Sequence, residues 1–182
     1  MTGTFKEALA IIPHIEEKLE EDGLYIDRHR ILVFNYKIAS IYFGSGNYGK
    51  AIDYLHRIIT DSADLRIDLQ CYARLLHLMS HFEMGNDEII ESLMKSVYRF
   101  MAKMKNLTVV EEEMFRFVRN SFSLSARQLK PELEKFLHKI KHLEKNRFET
   151  RAFAYLDVIS WVEGKVYNKT MSDVIHDKYL HS

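Results

Sequence analysis

Apolar residues return along this chain every three to four positions, in long stretches parted by short polar breaks. That is the period of a helix buried on one face. Ala8, Ile12 and Ile15 open the series, Ala51, Leu55 and Ile58 repeat it, and Ile90, Met94 and Val97 repeat it again. Between these runs, Ile31, Phe34, Ile38, Ile41 and Tyr42 form one further stripe and Leu69, Tyr72, Leu75, Leu76, Met79 and Phe82 another. No alternation of apolar and polar positions lasts a strand's length between hairpin turn signals, so no sheet is expected. The pattern predicts nine helices near residues 4–22, 27–45, 47–60, 65–84, 87–105, 109–123, 126–145, 147–163 and 171–180.

The breaks repeat as well. Gly3 with Thr4, Gly46 with Asn47 and Gly85 with Asn86 each precede an apolar position five residues after the glycine, at separations of 43 and 39 residues. A glycine there can end one helix in a left-handed conformation, and the Thr or Asn beside it can cap the amides that open the next. A further 39 residues reaches Leu124, without a glycine but with Leu129, Leu133 and Phe136 in the same frame, and 40 more reaches Gly164. Later starts carry capping-box spacing in Thr108 with Glu111 and Ser125 with Gln128, with an Asn-capped variant in Asn146 with Glu149. Pro131 falls early in its helix, whereas Pro13 lies mid-helix and is expected to kink or divide it.

Composition narrows the class. The 182 residues are 47% hydrophobic with only 7 Gly and 2 Pro, enough apolar surface for a core and few places to break helices. A lone cysteine, Cys71, excludes an internal disulfide and points to a reducing compartment, so a cytoplasmic location is expected. No apolar run is long enough to span a membrane. The formal net charge of +0 conceals a polarity: residues 1–93 carry 15 acidic and 9 basic side chains, and residues 94–182 carry 11 and 17. No general attraction to nucleic acid follows from a neutral chain, but its two halves differ in sign.

At this point the residues resemble the tetratricopeptide repeat (TPR) family. Ile38, Ala39 and Tyr42, followed by Gly46, Tyr48, Ala51, Leu55 and Ile58, look like one copy, with Asn35 where the family has tryptophan. His77, Leu78, His81, Gly85, Ile90, Met94 and Val97 look like a divergent second copy, and the segment 73–100 is similar to that of longer bacterial TPR proteins. The resemblance implies an all-α fold of antiparallel helical hairpins stacked as a superhelix: one domain over 1–182, with repeats at 32–65 and 71–104 and divergent hairpins over 108–182. It also implies a chain that starts in mid-repeat, as a fragment or C-terminal module of a longer protein, whose uncovered first helix could pair two copies.

The same resemblance implies a concave groove for a peptide or partner subunit, lined by Val33, Tyr36, Ser40 and Phe43 from one hairpin and Tyr72, Leu75, Met79 and Phe82 from the next. Tyr36 and Ser40 replace the basic and amide side chains that clamp a terminal carboxylate in chaperone-binding relatives. The expected function is therefore a protein-interaction scaffold. The alternative is a nucleic-acid-binding module using the basic C-terminal half, where Lys95, Arg99 and Lys103 form a stripe at helical spacing, with Arg116 and Arg119 following.

Catalytic signatures, cofactor fingerprints and metal motifs are missing, so no enzyme, cofactor or metal is expected. His77 with His81 and His138 with His142 have the four-residue spacing that can present two imidazoles to one metal. The first pair occupies packing positions, and the second lies among Lys135, Lys139, Lys141 and Lys145, which reads as a solvated basic face.

Overall fold

The computed structural model describes residues 5–21, 25–61 and 66–181. Among them the chain is entirely helical: α1 (Phe5–Glu21), α2 (Arg28–Gly44), α3 (Tyr48–Ile59), α4 (Ile67–Glu83), α5 (Asp87–Lys103), α6 (Val109–Ser121), α7 (Ala126–Leu143), α8 (Thr150–Tyr155), α9 (Val158–Tyr167) and α10 (Met171–Leu180). Each of α1 to α5 packs on its successor, as stacked hairpins require. Gly46 and Gly85 take φ of +82° and +67°, the left-handed turns expected of them. Asn47 accepts a hydrogen bond from the Lys50 amide at 3.2 Å and so caps α3. Asn86 precedes α5 but turns its amide to the His81 ring instead. Gly3 and its capping residue lie outside the described residues.

The apolar stripes converge on one continuous core. Ala51, Leu55 and Ile58 of α3 and Ile90 of α5 are wholly buried, as are Leu75, Leu76, Leu78 and Met79 of α4, each worth about 2 kcal/mol for its larger side chains. The core extends without a break through Val110 and Phe117 of α6, Phe136 and Ile140 of α7, and Trp161 and Val162 of α9. No described helix is long and apolar enough to cross a membrane.

Four expectations are corrected. The helix expected over 147–163 is two: Leu156 is extended, with φ of −137°, and Asp157 restarts the chain by accepting from the Ser160 amide at 3.0 Å. Among the described residues ten helices result instead of nine. Asn146 does not open a capping box with Glu149; the Glu149 carboxylate reaches back 39 and 40 residues to accept from the Val110 and Val109 amides, capping α6 from a distance. Gly164 ends no helix but sits inside α9, and Pro13 does not divide α1, which runs from Phe5 to Glu21. The capping boxes at Thr108 with Glu111 and Ser125 with Gln128 are both formed.

Candidate interaction surface

The C-terminal helices fold back across the face that the N-terminal hairpins present. α7 packs against α9, and α8 and the start of α9 lie over α2 and α4. The Tyr36 hydroxyl donates to the Tyr155 carbonyl at 2.9 Å, and the Tyr72 and Tyr155 rings stack at 4.5 Å with 9° between their planes. Arg66 donates to the Tyr155 hydroxyl at 2.8 Å, and that hydroxyl donates to Asp68. Burial works to raise the Asp68 carboxyl, but the hydrogen bonds from Arg66 and Tyr155 outweigh it and hold it well below the carboxylate range. Further along, Trp161 packs edge-on against Phe82 and Phe117, and its indole N–H donates to Glu83, which also pairs with Lys165 at 2.7 Å.

This arrangement places each residue expected to line the concave groove. Tyr36, Phe43, Tyr72, Leu75 and Met79 are buried; Val33, Ser40 and Phe82 are half-buried. Ser40 spends its hydroxyl on the Tyr36 carbonyl of its own helix at 2.9 Å. Burial pushes the Tyr36 hydroxyl well above its ordinary range, with the neighbouring Tyr72 and Tyr155 adding to the shift. The chain's own segment around Tyr155 and Trp161 thus occupies the middle of this face. An opening of about 550 Å³ persists at one end, where Phe43 and Tyr48 face Leu129, Leu133 and Trp161.

A second surface assembles between α5 and α6, the least tightly joined of the successive helices up to α7. It is a cleft of about 600 Å³ lined by Met94, Lys95, Tyr98, Arg99, Glu112, Phe115, Arg116 and Arg119. Met94 and Phe115 form its buried floor, and Tyr98, 43% exposed, stands edge-on to Phe115 with ring centroids 5.3 Å apart. Lys95 pairs with Glu91, and Arg116 pairs with Glu113. Arg99 and Arg119 have no carboxylate partner among the described residues; Arg99 only donates to the Lys95 carbonyl at 3.2 Å. Lys95, Arg99, Arg116 and Arg119 therefore share one rim, while Lys103, exposed in the last turn of α5, stands outside it.

The aromatic members of this cleft were not singled out from the sequence. A signal was present: Tyr98 falls outside the buried stripe of Met94, Val97 and Met101, putting an aromatic ring on the charged side of an amphipathic helix. Tyr155, Trp161 and Glu149 gave no comparable signal, because their roles depend on partners 39 to 119 residues away in sequence.

Other candidate groups are accounted for by packing. Cys71 is fully buried, and burial pushes its thiol up to about 11, which suits a small core residue. His77 and His81 meet edge-on at 4.6 Å, with His81 Nδ1 bonded to Asn86 at 2.8 Å. No group of three or more His, Cys, Asp or Glu side chains among the described residues is placed to hold a metal ion.

The fold defines an all-α helical-repeat protein. Compared with known proteins, the chain matches no family model, no curated protein and no solved structure.

Proposed function

We propose that this protein is an interaction module of TPR-like architecture that captures an acidic segment of another polypeptide in the cleft between α5 and α6. The observation that carries the reading is the pair of guanidinium groups, Arg99 and Arg119, which pair with no carboxylate among the described residues, Glu112 of the lining included, and stand beside an apolar floor. A carboxylate brought there gains charge-assisted, potentially bidentate hydrogen bonds, strengthened by the low-dielectric wall that Met94, Tyr98 and Phe115 provide. Tyrosine and arginine are also the residues over-represented where binding energy concentrates. Apolar side chains of the partner would fill the cleft while its acidic ones meet the rim, and no reaction is involved.

The concave face supports the original groove reading less well, because Tyr155 and Trp161 already sit on the residues that a peptide would touch. A TPR-type scaffold whose inner face is satisfied in cis would recognise its partner on the outside.

The test is fluorescence anisotropy with a labelled helical peptide carrying leucines on one face and glutamates beside them. Replacing both arginines, Arg99→Glu with Arg119→Glu, should weaken capture by at least about tenfold, roughly 1.4 kcal/mol, while circular dichroism stays unchanged. Equal capture by the folded double variant overturns the reading. Binding of an oligonucleotide in preference to the peptide, with affinity falling steeply as salt rises, would instead establish the nucleic-acid alternative.

A further inference from the structure

On α7, away from the cleft, the Nε2 atoms of His138 and His142 lie 3.3 Å apart and share a hydrogen bond. Two zinc–nitrogen bonds of about 2.0–2.1 Å meeting at the tetrahedral angle span about 3.3–3.4 Å between their nitrogens. The two imidazoles therefore already stand at the separation of one edge of a zinc coordination tetrahedron; the ion would replace the proton shared between the two nitrogens, each ring turning to aim its lone pair at the metal. We propose that His138 and His142 form a two-histidine site for a borderline divalent cation, Zn²⁺ foremost, on the exposed face of α7.

The surrounding lysines read from the sequence as an obstacle to a cation. Three of the four are paired: Lys135 with Glu132 at 2.6 Å, Lys139 with Glu113 at 3.0 Å and Lys141 with Glu163 at 2.5 Å. Glu113 also serves Arg116 and Glu163 also serves Lys178, so these carboxylates lower the positive field at the histidines without cancelling it. Both histidines are exposed, which leaves an approaching ion its water until it binds. With no third donor completing a cluster among the described residues, two vertices of the tetrahedron fall to water.

The other histidine pair shows what disqualifies the same spacing. His77 and His81 have the same 4.6 Å ring separation, but one His81 nitrogen is engaged by Asn86, and the uncompensated Arg74 lies close by. Arg74 spends its guanidinium on the Gln70 side chain and on backbone carbonyls, not on a carboxylate. Sequence spacing is identical in the two pairs; what separates them is that the α7 imidazoles bond through Nε2 only to each other, with carboxylates paired to most of the lysines around them.

Calorimetric titration of the full chain with zinc chloride tests the site. One binding event is expected, weakened at least about tenfold in His138→Ala and equally in His142→Ala, and retained in His77→Ala. Copper(II) should bind more tightly than zinc, following the order of divalent affinities, and acid should weaken both because protons compete for the ring nitrogens. Wild-type protein that takes up no zinc, or uptake unchanged in both α7 variants, overturns the proposal; so does loss of the site in His77→Ala alone. None of these outcomes bears on Arg99 or Arg119, so the site stands or falls independently of the cleft.

Discussion

The two halves of this molecule are built by different rules. From α1 to α5 the helices run 12 to 17 residues, turn at glycines 39 residues apart, and meet through apolar side chains such as Ala51, Leu55, Ile58 and Ile90. From α6 onward buried carboxylates hold the joints, and the last three helices are short, six residues in α8 and ten in each of α9 and α10. Glu111 accepts from the Tyr72 hydroxyl at 3.0 Å, Glu149 caps α6, and Glu163 binds Lys141 and Lys178 at 2.5 and 2.8 Å. A regular stack needs only that each helix cover the last. A chain that must fold back across its own N-terminal helices needs specific long-range bonds to fix where it lands, because a misplaced buried carboxylate is costly.

The sharpest way to break this contrast is at the landing point. Trp161→Ala should cost about 3–5 kcal/mol, the usual price of emptying a large aromatic site, because it also strips Glu83 of the indole N–H. Urea denaturation measures it; a loss under about 1 kcal/mol would mean the fold-back contributes little. Next comes Glu149→Ala, expected to cost about 1–3 kcal/mol by leaving the Val109 and Val110 amides without their acceptor. The same denaturation series on Asp87→Ala, an exposed acid in the first turn of α5 with no such distant partner, should shift by no more than about 1 kcal/mol.

A third prediction concerns acid. His77 is pushed down from 6.5 to about 4, first by burial and then by the charges of His81, His56 and Arg74. The unfolded chain takes up this proton below 6.5 while the folded chain resists until about 4, so stability is complete above 6.5 and declines as pH falls through that window. His77→Leu should flatten the slope of stability between pH 6.5 and 4 relative to wild type. An unchanged slope would remove His77 as its source. The smallest expected effect falls where the two regions meet: Arg99→Glu on α5 with Arg119→Glu on α6 should move stability by less than about 0.5 kcal/mol, since both side chains are exposed and make no ion pair among the described residues.

These differences also explain how far the sequence could be read. Helix positions, the turns at Gly46 and Gly85, and the caps at Asn47, Thr108 and Ser125 are local chemistry, decided within four or five residues, and they stood in the sequence as they stand in the structure. The stripe of Lys95 and Arg99 was visible for the same reason, and Arg116 and Arg119 do join it. The break at Leu156 and Asp157 was hidden because periodicity continues across it. What covers Tyr72 and Met79 was hidden too, since a buried stripe shows that a helix face is covered and not which helix covers it. Only the bonds of Tyr155 and Trp161 decide that, and they join residues 78 to 119 positions apart.

The account turns on which face meets the partner. Backbone NMR of the labelled protein, titrated with the acidic helical peptide, reads this residue by residue. Shifts concentrated at Tyr98, Arg99, Phe115 and Arg119, with Tyr72, Leu75 and Met79 unmoved, are the expected result. Shifts centred on Tyr36, Tyr72 and Met79, with release of Tyr155 and Trp161 from that face, would contradict it.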